Sequence, residues 1–229
     1  TWNYREPSAI TGNYENNIQT DAWRQHQTYV WKSLTNTDGT AKTFTDYAWG
    51  ATTQNEGWKK TTEATRYNHY SQALEAKGIN NQYTTTKYGY NDAFPIATAS
   101  NAKYMAIAYS GAEDRISSTG YFGGEVTGAD KQYITHFFAH TGNCCVKLNP
   151  GEYGFSYSGN ISPVPTADFK KGQKIRASVW LHKNFKEGGR LSYTLLNGTT
   201  SVGYSEVQYN SASSKQVGNF YLLTLDFTI

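Results

Sequence analysis

The chain is predicted to be all-β, a tyrosine-rich array of β-hairpins followed by a β-sandwich, and three observations lead there. Its 229 residues include 19 Tyr, 6 Trp, 10 Phe and 21 Gly, with only 17% charged. Tyr and Thr suit pleated, half-buried surfaces, while Gly and Asn suit tight turns. The stretch Lys174 to His182, KIRASVWLH, alternates cleanly. Ile175, Ala177, Val179 and Leu181 share one face, and Lys174, Arg176, Ser178, Trp180 and His182 the other. Finally, turn signals separate short alternating segments along most of the chain.

Such a length supports one large all-β domain or two smaller ones. The net charge is +3, with 21 basic and 18 acidic residues spread evenly. That distribution carries no electrostatic footprint for nucleic acid. No apolar run approaches the roughly 20 residues a membrane-spanning helix needs. The chain begins at Thr1 and ends in the apparent strand FYLLTLDFTI. We read it as an internal piece of a longer, extracellular-type protein whose targeting information lies elsewhere. Its two cysteines, Cys144 and Cys145, are adjacent. Neighbours on a strand point to opposite faces, so two free thiols are expected rather than a bridge.

In chain order, Gln27 to Leu34 reads as a strand closed by the turn Asn36-Thr37-Asp38-Gly39, with Ala41 to Trp49 as its return. Lys59 to Tyr67 is the next strand, and Ala73 to Lys77 leads into the turn Gly78-Ile79-Asn80-Asn81. Gln82 to Tyr90 runs back, and Asn91-Asp92 turns the chain into Phe94 to Ala99. Each hairpin is expected to lean on the next.

Residues 73 to 102, ALEAKGINNQYTTTKYGYNDAFPIATASNA, resemble the tyrosine-rich repeats of the RHS/YD-repeat family. The family closes its repeat with Tyr-x-Tyr-Asp; here the close is Tyr88-Gly89-Tyr90-Asn91, with Asn in place of Asp. The longer stretch from Trp58 to Asp114 looks like segments of large secreted RHS-repeat-associated proteins of the Bacteroidota. The resemblance implies a structural β-sheet strip or shell rather than a catalytic domain.

Ser110 to Gly128 turns Gly- and Ser-rich, which places a domain boundary near Ser110, giving residues 1–110 and 111–229. Eight short strands are expected beyond it: Tyr121–Val126, Tyr133–His140, Cys144–Leu148, Gly151–Ser158, Gln173–His182, Leu191–Leu196, Ser205–Tyr209 and Asn219–Ile229. This half resembles jelly-roll carbohydrate-binding modules of galactose-binding-like fold. The likeness rests on Tyr121 to Glu125, Ala139 to Gly142, Phe169 to Trp180 and Leu223 to Phe227. In that family a structural Ca2+ is held by an acid of the first strand and an Asp of the last, places taken here by Glu125 and Asp226. Without a metal, Asp226 would be an exposed strand acid beside Thr224 and Thr228.

Enzymatic readings find little footing. The histidines at 26, 69, 136, 140 and 182 show no metal or triad spacing, and His136 and His140 lack the intervening Glu of a metalloprotease. No serine sits in a nucleophile elbow. Sugar binding needs an aromatic plate and a few polar groups. Trp180, with Arg176 and His182 on its face, is the candidate ligand site, with Tyr153, Tyr157, Tyr193 and Tyr204 as neighbours. The alternative is that Trp180 packs beneath a loop such as Ile161 to Phe169. The expected role is therefore a non-catalytic structural and interaction segment, secreted or at the cell surface. Its partners would be other segments of the same large protein or cell-surface proteins. The second reading is a carbohydrate-binding module for a glycan, and the third an accessory part of a larger enzyme or toxin.

Overall fold

The computed structural model describes residues 2–4, 23–48, 57–68, 70–90, 92–113, 126–128, 132–134, 137–159, 169 and 171–229. The protein is all-β, as the alternation predicts; the described regular elements are antiparallel strands and one 3-10 turn at Tyr104–Ala106. Two compact units divide it: Thr1–Tyr88 with Asp92–Ile107, and Gly89–Asn91 with Ala108–Ile229. The break at Ile107–Ala108 falls beside the Gly- and Ser-rich stretch.

The first unit begins with the short pair β1 (Trp2–Tyr4) and β2 (Trp23–Gln25). Its main sheet is a meander in strict chain order: β3 (Gln27–Trp31), β4 (Trp58–Tyr67), β5 (Ala73–Gly78), β6 (Tyr83–Gly89) and β7 (Phe94–Ser100). Turn chemistry sets the order. Between β4 and β5, buried Asn68 accepts the backbone N–H groups of Tyr70 and Gln72 through its Oδ1, and Ser71 takes a left-handed φ of 67°. Between β5 and β6, Asn81 adopts φ 61° while Gly78 and Gln82 close the hairpin.

Residues 41 to 48 depart from the expected return strand. Only the bridge Thr35–Ala41 forms there, and β3 pairs instead with β4, bringing Trp31 opposite Trp58. Aromatic packing accounts for the choice. Phe44 sits edge-on to both indoles at 5.3 and 5.7 Å, and Tyr47 lies 5.8 Å from Trp58. The Trp58 indole N–H donates to the carbonyl of Thr45 at 2.8 Å. Beyond the Lys42 N–H, which donates to the Leu34 carbonyl at 3.0 Å, Phe44, Thr45 and Tyr47 are thus held by aromatic packing and the Trp58 indole. Gly57 makes it possible: at φ 83° its missing Cβ would lie 2.3 Å from the Trp31 ring.

The second unit carries three short pairings and two longer ones. The short strands are β8 (Thr127–Gly128), β9 (Gln132–Ile134), β10 (Cys144–Val146) and β11 (Phe155–Ser156), with β9 on β10 and β8 on β11. Cys144 and Cys145 are free thiols, the first buried and the second half-buried. The main sheet joins β12 (Lys174–His182), β16 (Phe220–Thr228) and β15 (Lys215–Val217) in the order β12-β16-β15. A two-stranded ribbon of β13 (Arg190–Asn197) and β14 (Thr200–Gln208) packs on it through Tyr193 stacked on Phe227 at 4.0 Å. The strand expected at Ser205–Tyr209 is regular through Gln208; β14 begins earlier than expected, at a hairpin tip with Gly198 at φ 61° and Val202 bulged out of register.

Leu223 and Leu225 of central β16 are the most buried members of the main sheet. Their neighbours on β12, Ile175, Ala177, Val179 and Leu181, face the same way but are only half-buried. The reason is position, because β12 is the outermost strand and its side chains have strand neighbours on one side only.

Candidate functional site

The polar face of β12 is the candidate site, and its register partners on β16 define it. Lys174, Arg176, Ser178, Trp180 and His182 stand opposite Thr228, Asp226, Thr224, Leu222 and Phe220. Opposed residues of an antiparallel pair share a face, so the strand divides into a charged end and an aromatic end.

At the charged end, Arg176 grips Asp226 with two parallel hydrogen bonds. Nε donates to Oδ1 at 2.7 Å and an Nη to Oδ2 at 2.8 Å. Hydrogen bonding to Arg176 holds the Asp226 carboxyl below the usual carboxylate range and raises the guanidinium in turn. Both groups remain exposed. Of the two expected calcium ligands, Glu125 lies outside the described residues, and both oxygens of Asp226 already accept from Arg176. Calcium takes roughly six to eight oxygens, and no group of three His, Cys, Asp or Glu side chains assembles among the described residues. The described neighbours of Asp226, Lys174 and Arg176 among them, do not fit a calcium cage.

At the aromatic end, Trp180 and His182 meet residues 137–140. The His140 ring lies parallel to the Trp180 indole at 4.1 Å and edge-on to Phe220 at 4.9 Å. Phe138 sits 4.9 Å from His182 and 5.1 Å from Phe185. Trp180 is therefore half-buried, one ring face taken up by an imidazole. Of the expected covering loop, Ile161 to Phe169, residues 161 to 168 lie outside the described residues; the described segment against the indole is 137–140. His182 accepts the Asn184 N–H at Nδ1, which puts the proton of the neutral ring on Nε2. Burial in the cluster, with Lys183 adjacent, pulls its pKa below the usual histidine value.

The proposed tyrosine neighbours go elsewhere. Tyr193 is on the opposite face of the sheet against Phe227. Tyr204 stands on the outer face of the ribbon, where its hydroxyl donates to Glu206. Tyr157 lies 6.4 Å from Phe169, and Tyr153 is 85% exposed. Neither makes a described contact with Trp180.

A second polar cluster, not foreseen from the sequence, lies inside the first unit. Lys87 is fully buried, its ammonium 3.4 Å from the Tyr104 ring centroid. Buried Glu75 accepts the Thr65 hydroxyl at 2.6 Å on one oxygen and the Tyr104 backbone N–H at 2.6 Å on the other. Arg24 is 2% exposed; its Nε donates to Ser71 Oγ at 3.0 Å and its guanidinium lies 5.7 Å from the Tyr67 ring. The signal was weak because Lys87 alternates among Thr and Tyr, residues that suit either face of a strand. With that geometry in view, no family model, no curated protein and no solved structure matches the chain.

Proposed function

We propose that the chain is a non-catalytic structural and interaction segment of a large secreted or cell-surface protein of RHS-repeat type. The first unit is its sheet strip and the second a jelly-roll-like accessory sandwich. One observation carries the reading: the distinctive side chains of the β12 face are engaged with the fold itself. Arg176 is bound by Asp226, Trp180 is covered by His140, and His182 is enclosed by Phe138, Phe185 and Phe220. The chain-ordered meander agrees with it, since each strand leans on its sequence neighbour and the pattern extends by repetition.

Glycan binding is the second reading, favoured by Phe137 at 81% and Phe185 at 65% exposure beside the Trp180 cluster. Affinity electrophoresis against a panel of polysaccharides separates the two. The scaffold reading expects no retardation of the wild type or of His140→Ala, which bares the indole. Retardation that is lost in Trp180→Ala, with circular dichroism unchanged, would replace it with the glycan reading.

A further inference from the structure

Among the described residues, the outer edge of β12 carries no strand partner. Hydrogen bonds at its two ends fix which way the backbone points. Ile229 N–H donates to the Gln173 carbonyl, and Lys183 N–H donates to that of Asn219. Odd-numbered residues of the strand therefore turn their backbone groups toward β16, and even-numbered ones, Lys174, Arg176, Ser178, Trp180 and His182, turn theirs outward. Among the described residues these outward groups have no backbone partner except the His182 carbonyl, which accepts Phe185 N–H at 2.9 Å. Folded proteins usually blunt such an edge with a short strand, a proline, a bulge or charged side chains, and β12 carries the last in Lys174 and Arg176 at one end. The opposite edge, β15, is only three residues long. By contrast β12 runs nine residues in unbroken register with β16 and contains no proline.

We propose that this edge pairs with the same edge of a second copy of the chain, antiparallel and centred on Ser178. The sequence is self-complementary about that residue. The two-fold axis places Ser178 against Ser178, Arg176 against Trp180, and Lys174 against His182, all with outward backbone groups, the His182 carbonyl alone already bonded to Phe185. It places Ala177 against Val179 and Ile175 against Leu181 on the other face. Arg176 gains an indole neighbour, a favourable pairing for a guanidinium, and Lys174 meets His182, whose charged form is disfavoured by burial and Lys183. The half-buried Ile175, Ala177, Val179 and Leu181 acquire the second row of apolar neighbours that an edge strand lacks. Two three-stranded sheets become one of six, and the contact is isologous and closed, so it ends at the dimer. No other register about an outward-facing residue pairs the whole strand.

The inference supplies the interaction reading with a partner and rests on it. It is tested on the full chain by sedimentation equilibrium from micromolar to millimolar concentration, which should show a monomer–dimer equilibrium. Ser178 is exposed, so Ser178→Glu should keep the fold while setting two carboxylates face to face on the axis and weakening the dimer at least tenfold. Hydrogen-bonded antiparallel partners have Cα atoms about 5.5 Å apart, within reach of a disulfide. Oxidised Ser178→Cys should therefore give a covalent dimer whose linked peptide joins 178 to 178, a readout that stands even if Ser178→Glu misfolds. Ala177→Cys, facing Val179 instead, should not. A chain that stays monomeric throughout, or a dimer in which Ser178→Cys forms no such peptide, would overturn the pairing. A monomer with no polysaccharide retention would remove the pairing alone and leave the scaffold reading in place.

Discussion

The two units solve the same problem, a β-sheet rich in polar residues, in opposite ways. The first takes charge inside: Lys87, Glu75 and Arg24 are all buried, each held by an aromatic ring or a specific donor or acceptor. The second leaves charge outside, where Arg176–Asp226, Lys186–Glu187 and Arg190–Glu206 pair on the surface. Its interior is made from packed rings, Tyr193 stacked on Phe227 and Tyr209 edge-on to Tyr221 at 4.9 Å, around Leu223 and Leu225. The electrostatic consequences differ accordingly. A buried charge that loses its partner is costly, whereas an exposed ion pair gains little.

The largest effect should come from the buried cluster. Glu75→Ala strips the acceptor from the Tyr104 N–H, at about 1–3 kcal/mol when buried and unsatisfied, and leaves the Thr65 hydroxyl only its longer bond to the residue 75 carbonyl. Loss of about 2 kcal/mol is expected in urea unfolding of the first unit. Asp226→Ala, which breaks the bidentate pair on the second unit, should leave the midpoint within experimental error. Equal losses in the two variants would erase the contrast between the units.

Glycines sharpen the same comparison one step lower. Gly57 and Gly198 both have left-handed backbones, at φ 83° and 61°. An added methyl at Gly57 would strike the Trp31 ring, while at Gly198 it meets open space. Both pay about 1–2 kcal/mol for a left-handed non-glycine residue, and Gly57→Ala adds about 1–3 kcal/mol of overpacking. Thermal denaturation should rank Gly57→Ala well below Gly198→Ala. Similar midpoints would mean that the Trp31–Phe44–Trp58 cluster yields readily.

How much of this was legible in the sequence follows from the range of the interactions. Local turn chemistry and alternation gave β4 to β7 and β12 nearly to the residue, because Asn, Gly and period-two patterning act within a few positions. The all-β class followed from the same signals. The partner of β3 did not, since the competition between Ala41–Ala48 and β4 was settled by rings brought together across the fold. The start of β14 was hidden because Thr200 to Gly203 carries no apolar alternation and depends on hairpin register. For the candidate site, the sequence correctly grouped Arg176, Trp180 and His182 on one face. What covers that face depends on residues 137–140, some 40 positions away, and spacing along a single strand cannot carry that information.

The smallest effect concerns His182, the titratable group in the ring-built cluster of the second unit. It is surrounded by Phe138, Phe185 and Phe220, with the Asn184 N–H donating to Nδ1 and Lys183 as the adjacent cation. Desolvation first, and Lys183 second, lower its folded pKa, so between that value and the unfolded value of about 6.5 the unfolded chain binds more protons. Stability from the neutral ring is thus complete above about pH 6.5 and is lost as pH falls through the folded pKa. The thermal midpoint of the second unit should drop slightly between pH 7 and pH 5, and His182→Phe should flatten that slope. A proton NMR titration placing His182 at or above the ordinary histidine value would show that the cluster admits water freely. In that case the aromatic end of β12 would be as open as its charged end.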